Sequence, residues 1–103
     1  MKYLTLLLLL PAFFVSAEEH EVGQKNKAFT TSTLTINKGD VVKFSNQDPF
    51  FHNIYSLSDS KFFDLGSFPK GKHKKVTFDK QGTIKVECAI HPEMQMTIKV
   101  EDE

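Results

Sequence analysis

Cys88, His91 and Met94 fall within one seven-residue segment, Cys88-Ala89-Ile90-His91-Pro92-Glu93-Met94. A single loop can turn a thiol, an imidazole and a thioether so spaced toward one point. Thiolate, imidazole and a weak, long axial thioether are the donors of a blue-copper electron-transfer site. Such a site needs a second imidazole from elsewhere in the chain. His52, preceded by Pro49-Phe50-Phe51 and followed by Asn53, can supply it. Cys88 is the only cysteine. In an exported domain a free thiol can oxidise or cross-link two chains, and metal ligation would shield it.

The elements around these residues read as strands. The stretch from Ala28 to Ile36 carries Thr30, Thr31, Thr33 and Thr35 beside Phe29, Leu34 and Ile36, a β-rich composition. Asn37-Lys38-Gly39-Asp40 is a turn, Val41-Val42-Lys43-Phe44 a strand, and Ser45 to Pro49 its end. Ile54, Tyr55 and Leu57 follow His52 as a further strand. Phe62, Phe63 and Leu65 are apolar, and Gly66 to Lys75 reads as a loop. Ile84, Val86 and Cys88 alternate with Lys85 and Glu87, as Ile98 and Val100 do with Thr97, Lys99 and Glu101. The metal-ligand segment thus joins two strands. Residues 18–27 are mostly polar and expected to be frayed at the start. Helical periodicity is missing, so the expected fold is an all-β, antiparallel β-sandwich.

The N-terminal segment carries Lys2, an apolar run from Leu4 to Val15, and Val15-Ser16-Ala17 before Glu18-Glu19. This pattern predicts a signal peptide over 1–17, cleaved after Ala17, and a single domain over 18–103. The run is too short for a spanning helix, which needs about 20 apolar residues. A periplasmic or secreted protein without stable membrane insertion is expected. The 103 residues include 13 lysines, no arginine and 13 acidic residues, for a formal charge of zero. That balance argues against nucleic-acid binding. One cysteine excludes an intrachain disulfide framework.

With these residues in view, the sequence resembles a cupredoxin, a type 1 blue copper protein of the plastocyanin and amicyanin type. The Cys88-to-Met94 loop, Phe51-His52-Asn53, the strand Gly39 to Asn46 and the last strand Thr97 to Glu101 carry the resemblance. It implies a Greek-key sandwich holding one copper ion. His52, Cys88 and His91 would form the trigonal plane, and Met94 would be the axial ligand. Plastocyanin-type loops use the longer spacing Cys-x2-His-x4-Met, which selects Met96 as the alternative. Asn53 would hydrogen-bond across to the cysteine loop. His91 would lie nearest the surface as the electron port, with Pro92, Phe50 and Phe51 forming a docking patch for redox protein partners.

The reading that follows is a monomeric one-electron carrier, not an enzyme. The alternative is a copper-binding, delivery or copper-resistance protein, for which Met94, Met96, Cys88 and His91 would suit a soft ion. A thiol enzyme pairing Cys88 with a histidine lacks evident oxyanion donors. Lys70, Lys72, His73, Lys74 and Lys75 form a basic run that would steer an acidic partner or simply coat a solvated loop. His20 is read as incidental.

Overall fold

The structure is a computed structural model that describes residues 17–102. Of the expected leader, only Ala17 lies within them. Among the described residues nine strands follow one another: β1 (Glu19–Lys25), β2 (Ala28–Phe29), β3 (Thr33–Asn37), β4 (Val41–Asn46), β5 (His52–Ser58), β6 (Lys61–Phe68), β7 (His73–Thr77), β8 (Gly82–Glu87) and β9 (Gln95–Glu101). They form a four-stranded sheet ordered β2-β1-β4-β7 and a five-stranded sheet ordered β3-β9-β8-β5-β6. No helix occurs among the described residues. The all-β sandwich expected from alternation is therefore the fold.

The pairing is not uniformly antiparallel. β1 runs parallel to β4, and β3 parallel to β9. Residues 18–27, expected to be frayed at the start, supply β1 from Glu19 onward and its turn. Only Val22, Gly23 and Gln24 of this strand are buried, while Glu19, Glu21 and Lys25 face solvent. A strand held mostly by backbone pairing carries a weak hydrophobic pattern. β6 also extends further than expected. A bulge sets Leu65 and Gly66 against Ile54, and Gly66 takes φ 74°. That left-handed residue carries the strand on to Phe68, which is buried.

The core lies between the sheets. Val22, Val42 and Phe44 of one sheet belong to the same buried cluster as Ile54, Ile84 and Ile98 of the other. Each such side chain contributes about 1.5–3 kcal/mol on burial. In the β8–β9 ladder Ile84 faces Ile98 and Val86 faces Met96. These pairs fix the register on which the metal-ligand segment is built.

Candidate metal centre

The next inward rung of the β8–β9 ladder belongs to Cys88 and Met94. The Cys88 N–H reaches the Met94 carbonyl at 3.3 Å, and Met94 N–H donates to the His91 carbonyl at 2.8 Å. The segment 88–94 is thus the tight end of a hairpin, closed by its own backbone. Both sulfur residues are buried. Met96, one rung deeper opposite Val86, packs within the main hydrophobic cluster, whereas Met94 stands outside it.

His52 opens β5 on the neighbouring strand and is fully buried. The structure brings it together with Cys88 and His91: one donor atom from each lies within 4.8 Å of the others. Cys88 Sγ is 3.8 Å from His52 Nδ1 and 3.8 Å from His91 Nδ1. An ion bonded at about 2.3 Å to sulfur and about 2.05 Å to imidazole, with angles near 120°, requires S···N separations of about 3.8 Å. The donor set and its spacing therefore fit a trigonal metal plane.

Each imidazole is held in place. His52 Nε2 lies 2.7 Å from Asp48 Oδ2. A carboxylate oxygen can only accept, so the ring donates there and its other nitrogen, Nδ1, faces the sulfur. Asp48 is itself gripped by the Asn26 N–H at 2.7 Å and the Lys27 N–H at 3.0 Å. Asn26 and Lys27 have φ of 56° and 59°, the paired left-handed residues of a two-residue hairpin turn between β1 and β2. Burial pushes the Asp48 carboxyl up, but the Lys27 N–H, His52 and the Asn26 N–H together hold it below the ordinary carboxylate range. Asn46 braces the same loop: its Nδ2 donates to the carbonyls of Phe50 and Phe68, and its Oδ1 accepts the Asp48 N–H.

His91 is half-buried. Burial, then the neighbouring charges of His52 and Lys27, hold its basicity below the usual imidazole range, against a weaker opposing pull from Asp48 and Glu93. It is therefore poised as a neutral donor. The Phe50 ring lies 5.2 Å from His52 and 5.4 Å from His91, centroid to centroid, and walls both imidazoles. Phe51, by contrast, is 54% exposed, as Ile90 is at 48%. Asn53 Oδ1 accepts the Ala89 N–H at 2.7 Å, tying β5 to the cysteine loop.

Sequence reasoning passed over Asp48, Asn46 and the Asn26-Lys27 turn. The available signals were an Asp four residues before His52 and an Asn two residues before that Asp. Of the basic run, Lys74 donates to the Leu65 carbonyl at 2.8 Å and Lys75 pairs with Glu19 at 3.1 Å. His73 lies on β7 opposite Ser45, not in a loop. His20, read as incidental, is bonded to Asp40 at 2.9 Å.

The chain is similar to several known proteins. The chain is 29% identical over 92 residues to the methylamine utilization protein MauL of Methylorubrum extorquens, covering 88% of this chain and 78% of that protein. A reduced, Cu(I) amicyanin variant superposes with a TM-score of 0.74 at 24% identity, covering 80% of this chain and 81% of that one. A purple cupredoxin from Nitrosopumilus maritimus gives 0.71 at 21% identity, covering 80% and 99%. A copper-containing nitrite reductase from Thermus scotoductus gives 0.77 at 23% identity, with 95% of this chain matching 25% of that enzyme. At such identities the superpositions speak for the fold. The sequence profile of copper-binding proteins of the plastocyanin/azurin family matches residues 17–101. With that match over the whole sandwich, the chain belongs to the plastocyanin/azurin family of copper-binding proteins.

Proposed function

We propose that this protein is an exported one-electron carrier whose type 1 copper is held by His52, Cys88 and His91, with Met94 as the axial ligand. The observation that carries the reading is the placement of Cys88 Sγ 3.8 Å from each of two imidazole nitrogens, one from the start of β5 and one from the hairpin end that joins β8 to β9. Bound there, copper supplies a one-electron Cu(II)/Cu(I) couple. The protein's part is to hold one donor geometry through both oxidation states, which keeps the reorganisation on electron transfer small. Cys88 binds as thiolate, and the Asp48 contact fixes the His52 tautomer, so no proton need move at either ligand. Met94, buried on the same rung as Cys88, is favoured over Met96, whose side chain belongs to the core.

The domain proposed is 18–103, released from its leader after Ala17 and working as a monomer. Ile90 and Pro92, which flank the half-buried His91 in the chain, and Phe51, which precedes His52, are exposed. They form a small apolar surface for a redox protein partner, with His91 the route for the electron. A delivery role would favour accessible soft donors, and the two methionines here are buried. Voltammetry of the copper-loaded protein in the presence of a Cu(I) chelator tests the reading. A carrier gives a reversible one-electron wave at constant copper content. Loss of copper to the chelator on each reduction would instead indicate copper delivery.

A further inference from the structure

A second group of donors stands at the other end of β4. Asp40 begins that strand's run and Asn46, which braces the His52 loop, ends it. At about 3.3 Å per residue the two ends are about 20 Å apart. Parallel pairing sets Glu19 beside Val41 and His20 beside Val42, which brings the first residues of β1 over Asp40. His20 Nε2 lies 2.9 Å from Asp40 Oδ2 and 3.8 Å from Glu18 Oε1. One donor atom each from Glu18, His20 and Asp40 lies within 4.8 Å of the others.

We propose that Glu18, His20 and Asp40 form a second metal site, for a divalent cation of borderline softness such as Zn2+ or Cu2+. One imidazole and two carboxylates are donors such ions accept. Bonds of about 2.0–2.1 Å at tetrahedral angles need donor separations of about 3.3–3.4 Å. The observed 2.9 Å and 3.8 Å bracket that value. Small movements suffice, because the Glu18 side chain is 73% exposed and free to swing, while Asp40 is anchored. Asp40 accepts the Glu18 N–H through Oδ1 and the Asn37 N–H through Oδ2, both at 3.0 Å. The anchored carboxylate therefore presents its charge to His20 from a fixed position. The ion takes the place of the direct His20–Asp40 hydrogen bond, with the imidazole proton carried on Nδ1, and ties the first strand to β4. A domain this small gains directly from such a tie, since binding to the native state alone stabilises it.

Zinc titration of the mature protein tests the site independently of the copper reading. Calorimetry should find two zinc equivalents in the wild-type chain. His20→Gln, whose amide can still donate to Asp40, should lose one equivalent and the zinc-induced rise in melting temperature that goes with it. Cys88→Ser should lose the other equivalent and keep the His20-dependent one. Asp40→Asn, which keeps an acceptor for the Glu18 N–H, should behave as His20→Gln does. A single equivalent lost in Cys88→Ser and unaffected in His20→Gln would overturn the proposal. So would a His20-dependent site that persists in Asp40→Asn, which would place the ion on the backbone nitrogens of a free N-terminus.

Discussion

Two methionines within three residues give opposite outcomes when each is changed to leucine. Met94 shares its rung with Cys88 and lies outside the main core, while Met96 packs among Val86 and its neighbours. Met94→Leu should shift the reduction potential and visible spectrum of the copper form. Met96→Leu should leave both nearly unchanged and cost less than about 1.5 kcal/mol in denaturant unfolding, as volume-conserving core swaps do. Asp48 acts at the same scale but through another residue. Its carboxylate fixes the His52 ring 2.7 Å away. Asp48→Asn should weaken copper binding by about 10- to 100-fold, measured by competition with a chelator, with the spectrum altered as well. The cysteine, the two histidines and the methionines were legible as a constellation because few roles suit a thiol, imidazoles and a thioether so spaced. Asp48 was not, because one carboxylate in a polar loop looks like any other until the turn that grips it is seen.

At the scale of elements, β8 and β9 were readable from strict alternation, and their register alone decides which sulfur faces which. β1 was not readable, because its outward residues are charged and its inward stretch is short. Yet its turn is what holds Asp48. Lys27 in that turn sits at φ 59°, a conformation in which a side chain is costly. Lys27→Gly should keep the backbone N–H bond to Asp48 and stabilise the protein by roughly 0.5–1 kcal/mol in denaturant unfolding. Destabilisation instead would mean that the Lys27 ammonium, 5.8 Å from the Phe50 ring centre, contributes more than the strain costs. The loop expected from Gly66 to Lys75 shrank for a related reason. Gly66 reads as a turn signal, but here it serves a bulge that lets β6 reach Phe68.

At the scale of the whole molecule two buried carboxylates, Asp40 and Asp48, tie β1 to the rest of the sandwich at its two ends. Burial raises both acids, but their hydrogen bonds outweigh it and hold them below the ordinary value of 3.8. A depressed folded-state pKa contributes stability above the unfolded value and loses it as pH falls through the folded one. The metal-free protein should therefore hold its melting temperature on this account down to about pH 4 and lose it below. Asp40→Asn should be less stable at neutral pH and show a shallower acid decline. An equally steep decline in that variant would remove Asp40 from the explanation. The sandwich itself was legible because alternation marks most of its strands. The parallel pairings were not, since register between distant strands leaves no mark in a single sequence.

The most direct measurement is the absorption spectrum of the mature protein on addition of one equivalent of Cu(II), compared with that of Cys88→Ser. The centre described here predicts an intense visible sulfur-to-copper band in the wild-type protein and its loss in the variant. A pale solution with copper bound, or a band that survives in Cys88→Ser, would contradict it.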